Sequence, residues 1–169
     1  DTRFECGINC CEKFIHYLAN RPYNERWILV SFNGSAFDHF ILTRKALELQ
    51  CCSAQSIFIA NSQILSVSIL CCPVFDLYKH LTNASLDRLC NEFNTYPNKL
   101  SCFDHSIPQG AHHNGQLDKW LINNLEEVEK YNKMDVLSLC SLFQITDNLF
   151  KTKFNIKNFY EYTTISQLV

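Results

Sequence analysis

The stretch Val30-Ser31-Phe32-Asn33-Gly34-Ser35-Ala36-Phe37-Asp38-His39-Phe40-Ile41-Leu42 decides how the rest of the chain is interpreted. The apolar run Trp27–Val30 leads into it and favours a short buried strand, because Trp, Ile and Val are common in strands. Asn33-Gly34-Ser35 then breaks the run, as turn-forming residues do. Apolar residues from Phe40 to Leu47 recur at roughly helical spacing and predict a helix over about 38–49. Asp38 is therefore expected where a strand ends and a helix begins, the edge at which open α/β sheets bind ligands.

Taken alone, Asp38 also has a simpler interpretation. An acidic residue in the first turn of a helix is favoured by capping and by the helix dipole. A feature far downstream adds to this, because the strongest helical pattern, about 125–149, carries Tyr131 and Asp135 one turn apart on one face. A carboxylate on an otherwise apolar helix face needs a partner or a metal ion. Two carboxylates and a phenol suit two-metal phosphodiester hydrolysis, in which cations neutralise phosphate charge and activate water.

Length and composition favour one globular domain with its own core. The chain has 169 residues, of which 47% are hydrophobic and 19% charged. The formal net charge of −2 gives no global electrostatic argument for binding nucleic acid. The chain starts at Asp1 rather than Met, so we expect it to be a piece of a longer protein. No run approaches the roughly 18 apolar residues of a membrane helix, so no membrane partner is expected.

Ten cysteines are many for this length, and they include three adjacent pairs. No Cys-x-x-Cys spacing occurs, which argues against a zinc knuckle. A site built from Cys6, Cys10, Cys11 and His16 remains an alternative. Buried reduced thiols that behave as small hydrophobes are the expectation. Because no secretory signal is present, we expect an intracellular reducing compartment.

The remaining pattern alternates helices and strands. Further helices are predicted at Cys10–Ala19, at 117–122 and at about 125–149. Another is opened by residues 83–86 and runs to about residue 94. Strands are predicted at 27–32, as a hairpin of 56–60 and 63–70, and at 73–78. Residues 95–115 hold two prolines and two glycines and are predicted to form a long loop.

Two further features keep two interpretations each. Asp76 lies in the predicted strand 73–78, near its end, where it either makes local hydrogen bonds or has a functional role. His112-His113 falls in the predicted loop, where a solvated pair is expected over a metal site because no partner ligand is spaced nearby.

Several motifs together resemble the 3′→5′ exonuclease domain of family B DNA polymerases. Asn33-Gly34-Ser35-Ala36-Phe37-Asp38 resembles the second exonuclease motif, and Tyr131-Asn132-Lys133-Met134-Asp135 resembles the third. Residues 74–78 and 85–89 are similar to the segment between these two motifs. Residues 159–165 are similar to the join to the polymerase region. The resemblance covers about residues 8–169 and is closest to the protein-primed branch found in viruses, linear plasmids and transposons.

The resemblance implies an RNase H-like α/β fold of the DEDD type, with a mixed sheet flanked by helices. Residues 1–150 would be the exonuclease-like domain and 151–169 the start of the connection to the polymerase region. Asp38 and Asp135 would hold two catalytic Mg²⁺ or Mn²⁺ ions, and Tyr131 would orient the attacking water. Asn33 and Phe37 would contact the single-stranded 3′ end of the DNA primer. A terminal priming protein is a further implied partner.

One departure from the family pattern is clear. The first motif, Asp-x-Glu on a strand, does not occur before Asn33. We expect it upstream of Asp1, so that the fold is truncated at its N-terminal strands and the isolated chain is inactive. Two alternatives stay open. One is a non-catalytic module that binds nucleic acid or a priming protein, and the other is an unrelated α/β domain in which Asp38 is a helix cap and Asp135 is surface-exposed, with the two residues more than about 10 Å apart.

Overall fold

The computed structural model of the protein describes residues 9–22, 25, 27–81, 84–97 and 106–162. The chain divides into two compact units. Among the described residues, one unit contains those from 84 to 148, and the other contains those from 9 to 81 and from 149 to 162. Helices and small mixed sheets make this an α/β protein, which confirms the predicted class at that level.

The second unit contains a three-stranded mixed sheet. Its strands are β1 (Leu29–Ser31), β4 (Ser68–Ile69) and β5 (Cys72–Asp76). β5 is the middle strand and runs parallel to β1 and antiparallel to β4. The predicted strands at 27–32 and 73–78 are thus confirmed with slightly different ends. Parallel pairing brings the carboxyl ends of β1 and β5 to the same edge, where Ser31 lies opposite Asp76.

A separate antiparallel hairpin joins β2 (Phe58–Ala60) to β3 (Gln63–Ser66), as predicted. Its two turn residues, Asn61 and Ser62, have φ values of 50° and 59°, which is the backbone of a tight two-residue hairpin turn. The predicted second strand, 63–70, is divided at Val67. Its first half pairs with β2 and its second half, β4, pairs with β5 instead.

The described residues form six α-helices, and five of them match predicted helices. Their bounds are α1 Cys10–Ala19, α2 Asp38–Glu48, α3 Leu86–Glu92, α4 Ser106–His113, α5 Leu117–Asn123 and α6 Leu125–Phe154. The Ser85 side chain caps α3 by accepting a hydrogen bond from the Arg88 amide. Asn83, which was predicted to open this helix, lies outside the described residues.

The prediction of a loop over 95–115 is wrong for α4. Pro108 lies in the first turn of this helix, where a backbone N–H has no helical partner and a proline is tolerated. Gly110 lies in the interior of the helix at a modest cost in propensity. His112 and His113 therefore belong to the last turn of a helix and not to a loop.

The buried faces of the first two helices differ in part from those that apolar spacing predicts, which for α1 is the face of Cys10, Phe14, Tyr17 and Leu18. In α1, Ile15 and Leu18 are 1% exposed, whereas Phe14 and Tyr17 are 36% and 44% exposed. In α2 the buried positions are His39, Thr43 and Ala46, and Phe40, Ile41 and Leu47 are partly exposed. The buried stripes therefore include polar residues, which apolar periodicity alone does not register.

α1 and α2 pack against each other, and the core of this unit includes side chains from both. The fully buried members are Ile15, Leu18, Ala46, Ile64, Val67 and Ile69. This core holds the sheet and α2 in place and so fixes the loop between β1 and α2. None of the described helices combines the length and the apolar character that a membrane span requires.

Candidate active site

The segment between β1 and α2 forms a tight loop at the carboxyl end of β1. Asn33 has a left-handed backbone with φ of 60°, and Gly34–Ala36 form one turn of 3₁₀ helix. Phe37 then takes the N-cap position, and α2 begins at Asp38. The predicted strand, turn and helix are thus confirmed in order, and the carboxylate lies at the predicted junction.

Gly34 is required by close packing and not by its backbone angle. A Cβ added there would lie 2.6 Å from Oγ and 2.8 Å from Cβ of Ser31, and 2.9 Å from Cδ2 of His39. Contacts this short force neighbouring atoms to move. The loop therefore lies directly on the end of β1 and the first turn of α2.

His39 fixes the start of α2 from inside the unit. Its Nε2 lies 2.7 Å from Oγ of Ser31, and the side chain is only 4% exposed. Burial lowers the pKa of His39, and the negative charge of Asp76 opposes this in part. The ring is therefore held in its neutral form, in which one nitrogen can bond to the Ser31 hydroxyl.

Asp76 holds the same loop from the neighbouring strand. One carboxylate oxygen accepts hydrogen bonds from the amides of Asn33, at 2.7 Å, and Tyr78, at 3.2 Å. The other oxygen accepts from the amide of Ser35 at 2.9 Å. The bond to Tyr78 is the local one that strand-end Asp residues commonly make, whereas the two bonds to the loop are long-range and no sequence signal indicates them.

The structure places three predicted site residues together on this loop. Asn33, Phe37 and Asp38 are all exposed, and Phe37 has 67% of its surface accessible. An exposed aromatic ring and an exposed carboxylate thus lie at the carboxyl edge of parallel strands, the edge at which open α/β sheets bind ligands. Asp38 also lies in the first helical turn, as its simpler interpretation requires.

The other two predicted site residues lie on α6 in the first unit. Tyr131 and Asp135 are one turn apart on this helix and are both half-buried. Helical spacing also predicts that Val128, Leu139 and Leu142 lie on the face of Tyr131 and Asp135, and of these three apolar residues only Leu142 is fully buried. Ser138 and Thr146 on this helix are fully buried as well. The hydroxyl of Ser138 donates to the Pro97 carbonyl, and the hydroxyl of Thr146 donates to the Leu142 carbonyl.

The carboxylates of Asp38 and Asp135 are the hard oxygen ligands that Mg²⁺ and Mn²⁺ prefer. Among the residues that the structure describes, no group of three or more His, Cys, Asp or Glu side chains could hold a metal ion. The alternative site of Cys10, Cys11 and His16 also needs Cys6, which lies outside the described residues.

The described cysteines match the expectation of buried reduced thiols only in part, because Cys71 and Cys140 are exposed and four others are half-buried. Eight described cysteines are free, and Cys72 and Cys90 are completely buried. Burial raises the pKa of Cys72, and burial together with Cys10 raises the pKa of Cys11. These thiols are therefore held in their protonated forms.

A cavity of about 980 Å³ lies within the second unit, and it does not coincide with the exposed loop. Asp76 contributes to its wall, but Asn33, Phe37 and Asp38 do not. Lys79 also lines this cavity and donates from Nζ to the Ile64 carbonyl at 3.2 Å. Burial lowers the pKa of Lys79.

Comparison of the chain with protein-family models, with curated proteins and with solved structures finds no match.

Proposed function

We propose that the chain is part of a DNA-directed DNA polymerase of family B, in its protein-primed branch, and comprises most of the 3′→5′ proofreading exonuclease domain. In this proposal the α/β fold is RNase H-like, and residues 151–169 begin the connection to the polymerase region. The substrate is the single-stranded 3′ end of a DNA primer, and the reaction is hydrolysis of its terminal phosphodiester.

The observation that carries the proposal is the loop from Asn33 to Asp38. It presents an amide, an aromatic ring and a carboxylate to solvent in the order of the second exonuclease motif. The loop is held from below by Ser31, His39 and Asp76, so its exposed side chains start from a fixed backbone. A rigid backbone with exposed functional groups is what a pre-organised binding site needs.

Each exposed group has a chemical role in this proposal. The ring of Phe37 stacks on the terminal base, which holds a frayed strand without reading its sequence. The side-chain amide of Asn33 hydrogen-bonds the same strand. The carboxylate of Asp38 would hold a divalent cation, which would neutralise phosphate charge and activate water.

The third motif supports the proposal from α6. Tyr131 and Asp135 have the i, i+4 spacing that stacks two side chains on one helical face. Asp135 would be the second carboxylate ligand and Tyr131 would orient the attacking water. The remaining ligands would come from the Asp-x-Glu strand that the family carries upstream of its second motif.

The test uses the parent gene extended upstream of residue 1. The extended protein is assayed for Mg²⁺-dependent degradation of single-stranded DNA, and Asp38→Ala should abolish it. Asp118→Ala is the matched control, because Asp118 is also an exposed acidic residue in the first turn of a helix. Unchanged degradation by the Asp38→Ala protein, or no upstream strand with Asp-x-Glu, would overturn the proposal.

The same assay separates the second class of function. A non-catalytic module would bind single-stranded DNA or a priming protein with no metal requirement and no degradation. Binding to DNA by such a module would weaken steeply as salt is added. That result would replace the exonuclease proposal.

A further inference from the structure

We infer that Asp76 is a positioning residue for the candidate active site and that it fixes the loop carrying Asn33, Phe37 and Asp38. The inference rests on the proposed function, since the loop has a catalytic role only within it. Asp76 itself is 5% exposed, and its hydrogen bonds to the loop go to the backbone amides of Asn33 and Ser35. It acts through the backbone of the loop.

The first argument is how the carboxylate is used. Both of its oxygens are bonded to backbone amides, and two of the three amides belong to the loop. A buried carboxylate is costly unless it is fully hydrogen-bonded, and these three bonds supply that compensation. Hydrogen bonds to charged groups are also stronger than neutral ones, so the loop amides are held firmly.

The second argument is the conformation that these bonds hold. Asn33 adopts a left-handed backbone, which residues other than glycine adopt at a cost. Its amide and that of Ser35 both point at one side chain, so the loop curls around the end of Asp76. Without an acceptor there, two buried or half-buried amides would lose their partners.

The third argument is that β5 and its continuation hold the loop at more than one point. Ser31 lies opposite Asp76 in the parallel register of β1 and β5. The ring of Phe32 packs edge-on against the ring of Tyr78, with centroids 5.4 Å apart. The loop is thus held between residues 31 and 35 by a segment of only three residues, 76–78.

The decisive variant is Asp76→Asn. An amide has one acceptor oxygen where the carboxylate has two, so one of the two loop bonds must break whichever way the amide is turned. The size and packing of the side chain stay nearly the same. Asp118→Asn, an exposed site, is the matched control.

The first measurement is amide hydrogen exchange on the chain itself. In the wild type, the amides of Asn33 and Ser35 should be protected, and each should show a through-hydrogen-bond coupling to the Asp76 carboxylate carbon. Asp76→Asn should speed exchange in the loop by about tenfold or more, as loss of one charged hydrogen bond predicts. Exchange in the β2–β3 hairpin should not change, which a general loss of structure would not allow.

The second measurement is kinetic and uses the extended parent polymerase. Asp76→Asn should lower the degradation of single-stranded DNA about tenfold or more while polymerisation on a primed template stays at the wild-type rate. A merely structural defect would lower both activities. The control, Asp118→Asn, should change neither.

The outcomes separate this inference from the proposed function. If the wild-type parent does not degrade single strands, the proposed function fails, and Asp76 has no catalytic site to position. If the wild type degrades single strands and Asp76→Asn matches it in both measurements, the inference on Asp76 is overturned. If Asp76→Asn does not fold, the wild-type couplings decide, and their absence together with unprotected amides at Asn33 and Ser35 overturns the inference.

Discussion

Nε2 of His39 lies 2.7 Å from Oγ of Ser31, and this contact joins the first turn of α2 to the last residue of β1. Neither residue is exposed in the manner of Asn33, Phe37 and Asp38. Ser31 and His39 instead pack against Gly34 of the loop that carries these three residues. The candidate active site therefore depends on buried polar residues as much as on its exposed ones, and the predictions below test both groups.

The stability of the protein should depend on pH through His39. Burial lowers its folded pKa below the usual 6.5, whereas the charges of Asp76 and Asp38 oppose this and Lys79 reinforces it. Well above pH 6.5 the ring is neutral in both the folded and the unfolded protein, so the contribution of His39 to the free energy of unfolding is fully present. As pH falls, the unfolded chain binds the proton first, so the free energy of unfolding decreases until pH passes below the folded pKa.

The measurement is urea unfolding at pH 7.5 and pH 5 for the wild type and His39→Gln. In His39→Gln the free energy of unfolding should decrease less between pH 7.5 and pH 5 than in the wild type, because the glutamine side chain does not titrate. His80 is 2% exposed, and burial lowers its pKa too, so some pH dependence should remain. His16→Gln on the exposed side of α1 is the control, and a His39→Gln profile identical to the wild type would contradict the prediction.

Gly34→Ala should destabilise the protein by about 1–3 kcal/mol, the usual cost of forcing an extra carbon into a packed site. The reason is the contact that its Cβ would make with Ser31 at under 3 Å. Gly110→Ala is the matched control, because nothing lies within 4 Å of a Cβ there and the residue is inside α4. That control should stabilise the helix by about 0.5–1 kcal/mol. Thermal unfolding of both variants checks the sign of each effect, and equal effects would refute the packing argument.

Phe37→Ala should weaken binding of a single-stranded oligonucleotide while leaving stability almost unchanged. The ring is 67% exposed, so little apolar burial is lost on truncation. Loss of one base-stacking contact costs about 1–3 kcal/mol, or about 5- to 150-fold in affinity. Fluorescence anisotropy with a labelled oligonucleotide measures it. Phe154→Ala, at a ring that is 61% exposed at the end of α6, should bind like the wild type.

Two substitutions at Asn33 separate its backbone role from its side-chain role. Asn33→Gly keeps the left-handed backbone, so we expect stability within about 0.5 kcal/mol of the wild type. Asn33→Ala should cost about 1–2 kcal/mol, because alanine adopts this backbone with strain. Both should weaken binding of single-stranded DNA to the same extent. If Asn33→Gly binds normally, the side chain does not contact the strand.

Thiol reactivity should follow exposure. Cys71 and Cys140 are exposed and should react first with a thiol reagent, whereas Cys72 and Cys90 are buried and should react only when the protein opens. Burial also raises the pKa of Cys72, which lowers its thiolate fraction. Mass spectrometry of partially modified protein gives the order, and early modification of Cys90 would be inconsistent with the structure.

Local signals in the sequence predicted most elements of the fold. Asn61 and Ser62 indicate a hairpin turn by residue type. The long run of residues with helical periodicity predicts α6, although the helix continues beyond the predicted end to Phe154. The sequence pattern misses α4 because residues 95–115 contain two prolines and two glycines and show little periodicity, which favours a loop. The helix nevertheless forms, because Pro108 lies in its first turn, where a proline interrupts no hydrogen bond.

The exposed residues of the candidate site were also predictable, because motif spacing alone indicates Asn33, Phe37 and Asp38. The buried supports were not. The sequence leaves Asp76 with two interpretations, because its bonds to Asn33 and Ser35 depend on which strand becomes the neighbour of β1. His39 is a polar residue in α2, and apolar periodicity does not indicate that such a residue is buried. Its burial follows from the packing of α2.

The hydrogen bond from Asn33 to Asp76 joins residues 43 positions apart, and this has a consequence for the order of events during synthesis. At about 5–20 residues per second, Asp76 is added roughly 2–9 s after Asn33. Throughout that interval the loop lacks its acceptor, and β1 lacks its parallel neighbour. A ribosome-stalled chain that ends before residue 76 should therefore contain the complete sequence from Asn33 to Asp38 without the geometry on which its chemistry depends.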